Sequence, residues 1–219
     1  MTPTLVSIQV GLPRTHGTPG ADDPFDRPWT SGFFKQPVAG PVRVTQLGIV
    51  GDGVADRVNH GGPDKAVLAY SADHYPGWSA ELGIHPLPFG AFGENLSIGG
   101  LTEDGVCVGD VWAFGGVQFE VSQPRQPCWK LARRWRIKDL PARVVASGRS
   151  GWYLRVLAEG EIEAGQSFAL IRRPNPDWTV RRANDVLYSL IDDPAANEAL
   201  MGVPGLSFSW VEMLRGRVG

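Results

Sequence analysis

Residues 122–131 read Ser122-Gln-Pro-Arg-Gln-Pro-Cys-Trp-Lys-Leu131, and they place Cys128 directly after a proline at the start of a predicted helix. Pro127 suits the first turn of a helix, where a missing N–H costs nothing, and the apolar residues beyond it repeat at helical spacing. A helix N-terminus presents unpaired N–H groups and partial positive charge, and Arg125 and Lys130 flank the thiol. These surroundings favour the thiolate form of Cys128.

A thiolate in this position suits three roles. It could attack an electrophile, hold a soft metal, or lie beside a bound anion. The competing interpretation is a small, buried apolar side chain, because free cysteines are among the most buried residue types. The flanking prolines and positive charges favour a functional role for Cys128. The other cysteine, Cys107, lies in a predicted strand, and we expect it to be inert.

The bulk composition limits the classes of protein to consider. The chain has 219 residues, of which 42% are hydrophobic and 20% charged, as is ordinary for a globular protein of one large domain, or one domain with a small appendage. A net charge of −2 argues against binding to a nucleic acid polymer. Between residues 122 and 149, however, eight basic residues stand against one acid. This local excess favours a small anionic ligand, with a solvated basic helix face as the alternative.

The N-terminal sequence has neither the basic region nor the long apolar core of a secretory signal. No apolar run approaches the roughly 20 residues of a membrane-spanning helix. We therefore expect a cytoplasmic protein with no membrane association and with both thiols reduced.

Alternating apolar residues predict many short strands, separated by turns rich in the chain's 28 glycines and 18 prolines. The predicted strands are 5–10, 42–50, 66–70, 106–114, 117–121, 151–157 and 167–172. Residues 11–29 are predicted to form an exposed loop, residues 73–82 a short helix, and Gly115-Gly116 a hairpin turn. This pattern favours a mainly β fold built on a closed or nearly closed barrel.

The composition changes at Arg173-Pro-Asn-Pro-Asp177, where two prolines mark a linker. Beyond it, Thr179, Asp193 and Ser207 are predicted to begin three short helices. Three helices in about forty residues bury too small a core to fold alone. We therefore predict a β-barrel domain over residues 1–172 and a helical domain over residues 177–219 that docks on the barrel or on a partner.

A second dense segment is Asn59-His-Gly-Gly-Pro-Asp-Lys-Ala66. Its adjacent glycines let the backbone approach a ligand closely, so His60 and Lys65 are candidate contacts to an anion. The alternative is an ordinary turn in which His60 has a structural role.

Two further segments add polar groups. Phe92-Gly-Glu-Asn-Leu-Ser97 sets two polar residues in apolar surroundings, where they need partners if buried. We expect Glu94 to fix the loop and Asn95 to contact the ligand. Ser31-Gly-Phe-Phe-Lys35 adds Ser31 and Lys35 as candidate contacts.

Several motifs are missing from the sequence. It has no Cys-x-x-Cys, no His-Glu-x-x-His and no Gly-x-x-x-x-Gly-Lys-Ser/Thr, which argues against a zinc site or a P-loop. It has no Gly-x-Ser-x-Gly elbow either. A cysteine hydrolase that pairs Cys128 with His60 stays open.

Five segments resemble, in their order, the MOSC domain proteins, the molybdenum cofactor sulfurase C-terminal domain superfamily. They are Gly51-Asp52, His60-Gly-Gly-Pro-Asp-Lys65-Ala, Phe92-Gly-Glu-Asn-Leu96, Gly109-Asp110 and Ser122-Gln-Pro-Arg-x-Pro-Cys128-x-Lys-Leu131. The resemblance covers about residues 1–172 and is closest to the YiiM-like subgroup, the 6-N-hydroxylaminopurine resistance proteins. The helical tail resembles the three-helix C-terminal domain of that subgroup.

The resemblance implies a mainly β fold, a MOSC-type β-barrel with short helices, followed by a small three-helix domain. It implies the molybdenum cofactor, a molybdopterin with a dithiolene and a terminal phosphate, and it makes Cys128 the catalytic residue and the molybdenum ligand. A thiolate suits a metal already held by sulfur, and basic groups suit the phosphate. The candidate cofactor-binding residues are Ser31, Lys35, His60, Lys65, Asn95, Arg125 and Lys130.

The implied activity is reduction of N-hydroxylated small molecules such as base analogues, hydroxylamines and amidoximes. Because the sequence has no flavin or nicotinamide fingerprint, a separate reductase would supply the electrons. The alternative is a carrier of the molybdenum cofactor, or of sulfur as a persulfide on Cys128, without substrate turnover. A thiol-dependent hydrolase is the third hypothesis, and a homodimer stays open.

Overall fold

The computed structural model describes residues 2–56 and 60–218. Asn59, which opens the predicted glycine-rich segment, lies outside these residues. The strands are β1 (Thr4–Val10), β2 (Arg14–His16), β3 (Trp29–Ser31), β4 (Gln36–Pro37), β5 (Val42–Thr45), β6 (Gly48–Ile49), β7 (Val67–Ser71), β8 (Leu96–Gly99), β9 (Val111–Phe114), β10 (Val117–Pro124), β11 (Trp152–Ala158), β12 (Gly160–Ile162) and β13 (Ala169–Arg172). The α-helices are α1 (Tyr75–Leu82), α2 (Trp129–Trp135), α3 (Leu140–Ser147), α4 (Val180–Tyr188), α5 (Pro194–Met201) and α6 (Phe208–Val218).

Most strands belong to one curled sheet with the order β13-β9-β10-β11-β7-β8-β1-β4, whose edges are β13 and β4. Its strands pair antiparallel except for β7 and β8, which run parallel. A small sheet, β12-β5-β6, packs with it around one apolar core that includes Leu5, Val44 and Phe119. The predicted mainly β fold with short helices is confirmed, and its large sheet forms a curled half-barrel.

Two predicted strands were too long. Residues 42–50 form the hairpin β5–β6, because Gly48 has φ 126° and a Cβ there would lie 2.6 Å from the carbonyl oxygen of Ala66. The predicted strand 106–114 begins only at Val111. Cys107 lies before it, where it forms an isolated bridge to Thr179 and donates its N–H to Asp110 Oδ2 at 2.9 Å.

The predicted loop over residues 11–29 contains a short strand that the sequence did not indicate. β2 pairs with β3, and the rings of His16 and Trp29 lie 5.4 Å apart across that pair. A three-residue strand is too short to produce an alternating pattern, so the glycines, prolines and acids around it dominated the prediction.

Cys128 lies at the start of a helix, as expected, but as the capping residue just outside the first turn. It is the N-cap of α2, with φ −114° and ψ 166°. Pro127 therefore precedes the helix instead of lying in its first turn. Arg136 caps the C-terminus of α2 and adopts the left-handed conformation with φ 54°.

The three predicted C-terminal helices are present. The Thr179 hydroxyl caps α4 by accepting the Arg182 N–H at 3.1 Å, and the Asp193 carboxylate caps α5 by accepting the Ala196 N–H at 3.1 Å. These helices share an apolar cluster with Val108, a residue from the β-rich part of the chain, whose N–H donates to Trp178 O at 2.9 Å. The helices therefore dock on the half-barrel.

Within the ranges that the structure describes, no helix has the length and apolar character needed to cross a membrane.

Candidate functional site

An open pocket lies beside Cys128, and its empty space, part of which is open to solvent, is about 640 Å³. Its lining includes every residue that the sequence suggested for a site: Ser31, Lys35, His60, Lys65, Asn95, Arg125, Cys128 and Lys130. These residues come from four separate segments of the chain. The fold therefore brings together polar groups that lie up to 99 positions apart in sequence.

The two cysteines lie in different environments, and neither forms a disulfide. Cys128 is partly exposed where it lines the pocket, so it does not have the sealed packing of an apolar core residue. Cys107 is only 1% exposed, and burial, with the nearby charge of Asp110, raises the pKa of its thiol. Cys107 thus stays protonated inside the protein, while the Cys128 sulfur reaches a space that a ligand can enter.

Arg125 contributes a buried guanidinium whose hydrogen bonds are only partly used. Its Nη2 donates to the carbonyl oxygen of Phe92 at 3.1 Å, and its backbone N–H donates to Gly151 O at 3.0 Å. Among the described residues its Nη1 finds no hydrogen-bond partner, although the side chain is nearly fully buried. A buried, unpaired donor is costly, so an anion in the pocket would satisfy this atom.

Lys130 adds a second positive charge to the pocket. It follows Cys128 by two positions on α2 and is 8% exposed. Across residues 2–56 and 60–218, its ammonium forms no hydrogen bond or ion pair. Lys65 lies on the facing loop, where burial lowers the pKa of its ammonium and the carboxylates of Asp64 and Asp56 oppose that shift. The pocket therefore attracts negative charge.

His60 is neutral in this pocket at pH 7. Burial, reinforced by the positive charge of Lys130, lowers the pKa of its imidazole to about 4, although Asp56 acts in the opposite direction. A neutral imidazole offers one donor and one acceptor. In the described part of the chain no hydrogen bond joins His60 to Cys128, so the geometry gives no support to a cysteine–histidine hydrolase pair.

Lys35 and Asn95 both contact Asp52, a residue that sequence reasoning did not assign to the site. The ammonium of Lys35 forms an ion pair with Asp52 Oδ1, and Asn95 Nδ2 donates to Asp52 Oδ2 at 2.8 Å. Asn95 also donates to Gln9 O at 3.2 Å and accepts from the Leu68 N–H at 3.1 Å. The observed contacts of the Asn95 amide are thus to the protein, and they hold the pocket wall together.

Ser31 and Glu94 shape the loops around the pocket. The Ser31 hydroxyl accepts the Phe33 N–H at 3.1 Å. Glu94 is fully buried, and its carboxylate accepts the N–H groups of Gly90 at 2.7 Å and Phe92 at 3.1 Å. The hydrogen bonds of Glu94 bear out its expected role of fixing the loop.

Tyr153 is another lining residue that sequence reasoning missed. Burial, opposed by the charge of Arg125 and reinforced by Cys128, raises the pKa of its phenol to about 12. The phenol therefore keeps its proton at neutral pH. Its neighbours Trp152 and Leu154 point into the core, so the period-2 alternation of β11 could have placed Tyr153 on the opposite face.

The basic segment 122–149 divides into two groups. Arg125 and Lys130 line the pocket. Other members pair with surface acids: Arg136 with Asp23 at 2.8 Å, and Arg143 with Asp139 at 2.9 Å. The anion-binding and the solvated-face interpretations of this segment thus each describe part of it.

Two family models match the chain: "MOSC domain" over residues 56–169 and "YiiM-like, 3-alpha helix domain" over residues 178–218. The Bacillus subtilis (strain 168) protein YflK is 40% identical over 207 residues, which cover 94% of this chain and 90% of YflK. A protein of Gibberella moniliformis named "Reductase" is 40% identical over 161 residues, 72% of this chain but 28% of that protein. The crystal structure of YiiM from Geobacillus stearothermophilus superposes with a TM-score of 0.82 at 38% identity, covering 99% of this chain and 100% of that one.

Proposed function

The chain belongs to the MOSC domain family and carries a YiiM-like 3-alpha helix domain, and on that basis we propose that it binds the molybdenum cofactor and reduces N-hydroxylated compounds. MOSC domains are associated with binding of the molybdenum cofactor, and a relative named as a reductase points to oxidoreductase activity. The observation that carries the proposal is the pocket that joins the partly exposed thiol of Cys128 to the unsatisfied Nη1 of Arg125.

The residues of the pocket fit the cofactor's chemistry. A molybdopterin presents a soft metal and an anionic phosphate, and the pocket offers a soft sulfur beside charged nitrogen donors. We assign the metal to the Cys128 sulfur, because thiolates bind soft, sulfur-rich metal centres. We assign the anionic groups to Arg125, Lys65 and Lys130, because charge-assisted hydrogen bonds to phosphate are among the strongest in proteins.

The remaining predicted contacts have supporting roles in this proposal. The neutral imidazole of His60 can accept one hydrogen bond and donate another to the bound group. The Ser31 hydroxyl adds a polar group to the lining. Lys35 and Asn95 act through Asp52, and they keep the wall behind the cofactor in place.

The reaction consumes two electrons and two protons for each N–OH group that becomes N–H, and it releases the oxygen as water. When bound, the cofactor supplies the two-electron chemistry. We assign one proton to the Oη atom of Tyr153, which lines the same pocket as Cys128 and stays protonated at neutral pH. A separate reductase delivers the electrons, and the cytoplasm is the compartment we propose for the pair.

The proposal is tested with protein purified from a host that makes the cofactor. We expect about one molybdenum atom per chain, and turnover of 6-N-hydroxylaminopurine with a reduced viologen dye as electron source. Protein that contains no molybdenum would overturn the proposal. Protein that contains molybdenum but does not reduce any of a base analogue, a hydroxylamine and an amidoxime would instead be a carrier.

A further inference from the structure

Asp64 connects the pocket to the C-terminal helices. It lies in a 3-10 turn, Pro63–Lys65, directly before the pocket residue Lys65. Its Oδ2 accepts the backbone N–H of Phe208, the first residue of α6, at 3.0 Å. Its Oδ1 accepts Nε of Arg155 at 2.8 Å and Nη2 of Arg155 at 2.6 Å. Both carboxylate oxygens are therefore engaged, one by the half-barrel and one by the helical domain.

A second set of contacts reinforces this connection. The N–H of Ser207, just before α6, donates to Ser122 O at 2.9 Å, and the Ser122 hydroxyl donates to the carbonyl oxygen of Asp64. The hydroxyl of Ser207 donates to Gln123 Oε1 at 2.6 Å. Ser122 and Gln123 lie at the end of β10, the strand that leads to Cys128. The start of α6 thus contacts the turn that carries Lys65 and the strand that leads to Arg125 and Cys128.

The ion pair of Asp64 with Arg155 is well defined. The two side chains are 29% and 24% exposed, and Arg155 also pairs with Glu120. Burial alone would lower the pKa of Arg155, but the hydrogen bonds and charges of Asp64 and Glu120 raise it. A guanidinium with two fixed acceptors is a rigid support, so Asp64 can hold the turn in one position.

The glycine loop, defined here as residues 60–66, needs such a support. Gly61 and Gly62 adopt φ 78° and 81°, and a Cβ at Gly62 would have no neighbour within 4 Å. A Cβ at Gly61 would lie 2.8 Å from Val54 Cγ2, so only Gly62 is without packing. Two adjacent glycines still have a large conformational entropy that must be lost when the loop is ordered. Contacts from outside the loop therefore help to fix His60 and Lys65 in the pocket.

We propose that α6 positions the glycine loop through Asp64, so that the helical domain sets the placement of Lys65 and His60 in the pocket. Asp64 is a positioning residue in this scheme, because its carboxylate acts on Lys65 through the 3-10 turn. The identity of the ligand that the loop binds rests on the proposed function. The positioning of the loop by α6 does not.

The chain offers a matched pair of variants at Phe208. Phe208→Pro removes the N–H that Asp64 accepts, and proline is well tolerated at the first position of a helix. Ser207 caps α6, with its hydroxyl accepting the Trp210 N–H at 3.4 Å, and such a cap is compatible with a following proline. Phe208→Ala keeps the N–H and removes a side chain that is 71% exposed. The two variants therefore differ mainly in the hydrogen bond to Asp64.

The decisive measurement is hydrogen–deuterium exchange of the glycine-loop amides in cofactor-free protein. We expect exchange about tenfold faster in Phe208→Pro than in wild type, because a hydrogen bond to a charged group is lost. Phe208→Ala should match wild type, and the amides within α6 should be unchanged in both variants. Loop exchange that is equal in Phe208→Pro and Phe208→Ala would overturn the proposal.

Asp64→Asn tests the same connection from the loop side, and it decides the question if Phe208→Pro loosens α6 itself. We expect an acceleration of loop exchange at least as large as in Phe208→Pro, because Asp64→Asn also weakens the ion pair with Arg155. In the double variant we expect no acceleration beyond that of Asp64→Asn alone, because the hydrogen bond that Phe208→Pro removes is already disrupted. Loop exchange at the wild-type rate in Asp64→Asn, or fully additive effects in the double variant, would contradict the proposal.

Molybdenum retention separates this inference from the proposed function. After dialysis of loaded protein, we expect Phe208→Pro to retain less molybdenum than Phe208→Ala. If wild type never binds molybdenum, the proposed function fails, and loop exchange still decides the positioning role. If wild type binds molybdenum while loop exchange is the same in both Phe208 variants, the positioning role fails alone.

Discussion

Arg125 Nη2 donates a hydrogen bond to the carbonyl oxygen of Phe92 at 3.1 Å, which joins the segment before Cys128 to the loop that carries Glu94. The same guanidinium leaves its Nη1 buried without a partner in the described part of the chain. One atom of Arg125 therefore stabilises the pocket, and another is left for a ligand. This division predicts that changes at Arg125 affect both stability and binding.

Arg125→Ala should lower the free energy of unfolding by about 1–3 kcal/mol, because it leaves the Phe92 carbonyl buried and unpaired. It should also lower molybdenum retention after dialysis at least about tenfold, since the anion loses a charged donor. Arg143→Ala is the matched control, because Arg143 lies on the surface and pairs with Asp139. Equal molybdenum content in the two variants would contradict the role assigned to Arg125.

Much of this site could be predicted from short local patterns. Cys128 beside Pro127, and the paired glycines before Lys65, are unusual combinations within a few residues, and they marked the pocket without any knowledge of the fold. The alternation of apolar residues in β1 and β11 likewise predicted the strands. These features are local, so the sequence displays them directly.

The role of Asp52 could not be predicted in this way, because it depends on long-range contacts. Its carboxylate accepts the N–H of Gly11, 41 residues away, at 2.8 Å and also pairs with Lys35 and Asn95. The split of the predicted strand 42–50 has the same origin, since a Cβ at Gly48 would meet Ala66 from a separate segment. Such contacts exist only after the sheets have assembled.

Asp52→Asn should strongly destabilise the protein. Lys35 and Asp52 are nearly buried, with side-chain exposures of 7% and 10%, and breaking a buried ion pair from one side costs about 3–5 kcal/mol. Because the cost comes from the charge left on Lys35, the double variant Lys35→Met with Asp52→Asn should recover part of the loss. Urea denaturation measures the free energy of unfolding of both variants. A double variant less stable than Asp52→Asn would show that the charge left on Lys35 is not the cause of the loss.

Because buried His60 resists protonation, we predict that the folded protein becomes less stable in acid. The pKa of its imidazole is about 4 in the folded protein and about 6.5 when unfolded, so the unfolded chain binds the proton first as the pH falls. Stability from neutral His60 is fully present above about pH 6.5 and is lost as the pH falls from there to about 4. Melting temperatures of wild type and His60→Gln at pH 7 and 4.5 measure this. The drop in melting temperature on acidification should be smaller in His60→Gln, and an equal or larger drop would count against a neutral His60.

Tyr153→Phe should lower kcat for N-hydroxy reduction about 10²-fold, the usual size of a positioned proton donor's contribution, with little change in KM. Since the phenol pKa is about 12, wild-type turnover should show no decline from Tyr153 ionisation between about pH 6 and 9. Unchanged molybdenum content separates a proton-transfer role from a role in binding. A Tyr153→Phe variant with wild-type kcat would show that Tyr153 does not donate a proton in the reaction.

The account depends most on the sulfur of Cys128, and turnover of Cys128→Ala tests it most directly, with Cys107→Ala as the control. Because Cys128 is partly exposed and lines the pocket, its replacement should leave the melting temperature nearly unchanged. We expect Cys128→Ala to reduce 6-N-hydroxylaminopurine no faster than the background without enzyme, while Cys107→Ala keeps wild-type turnover. A Cys128→Ala protein that retains wild-type turnover with unchanged molybdenum content would contradict the account.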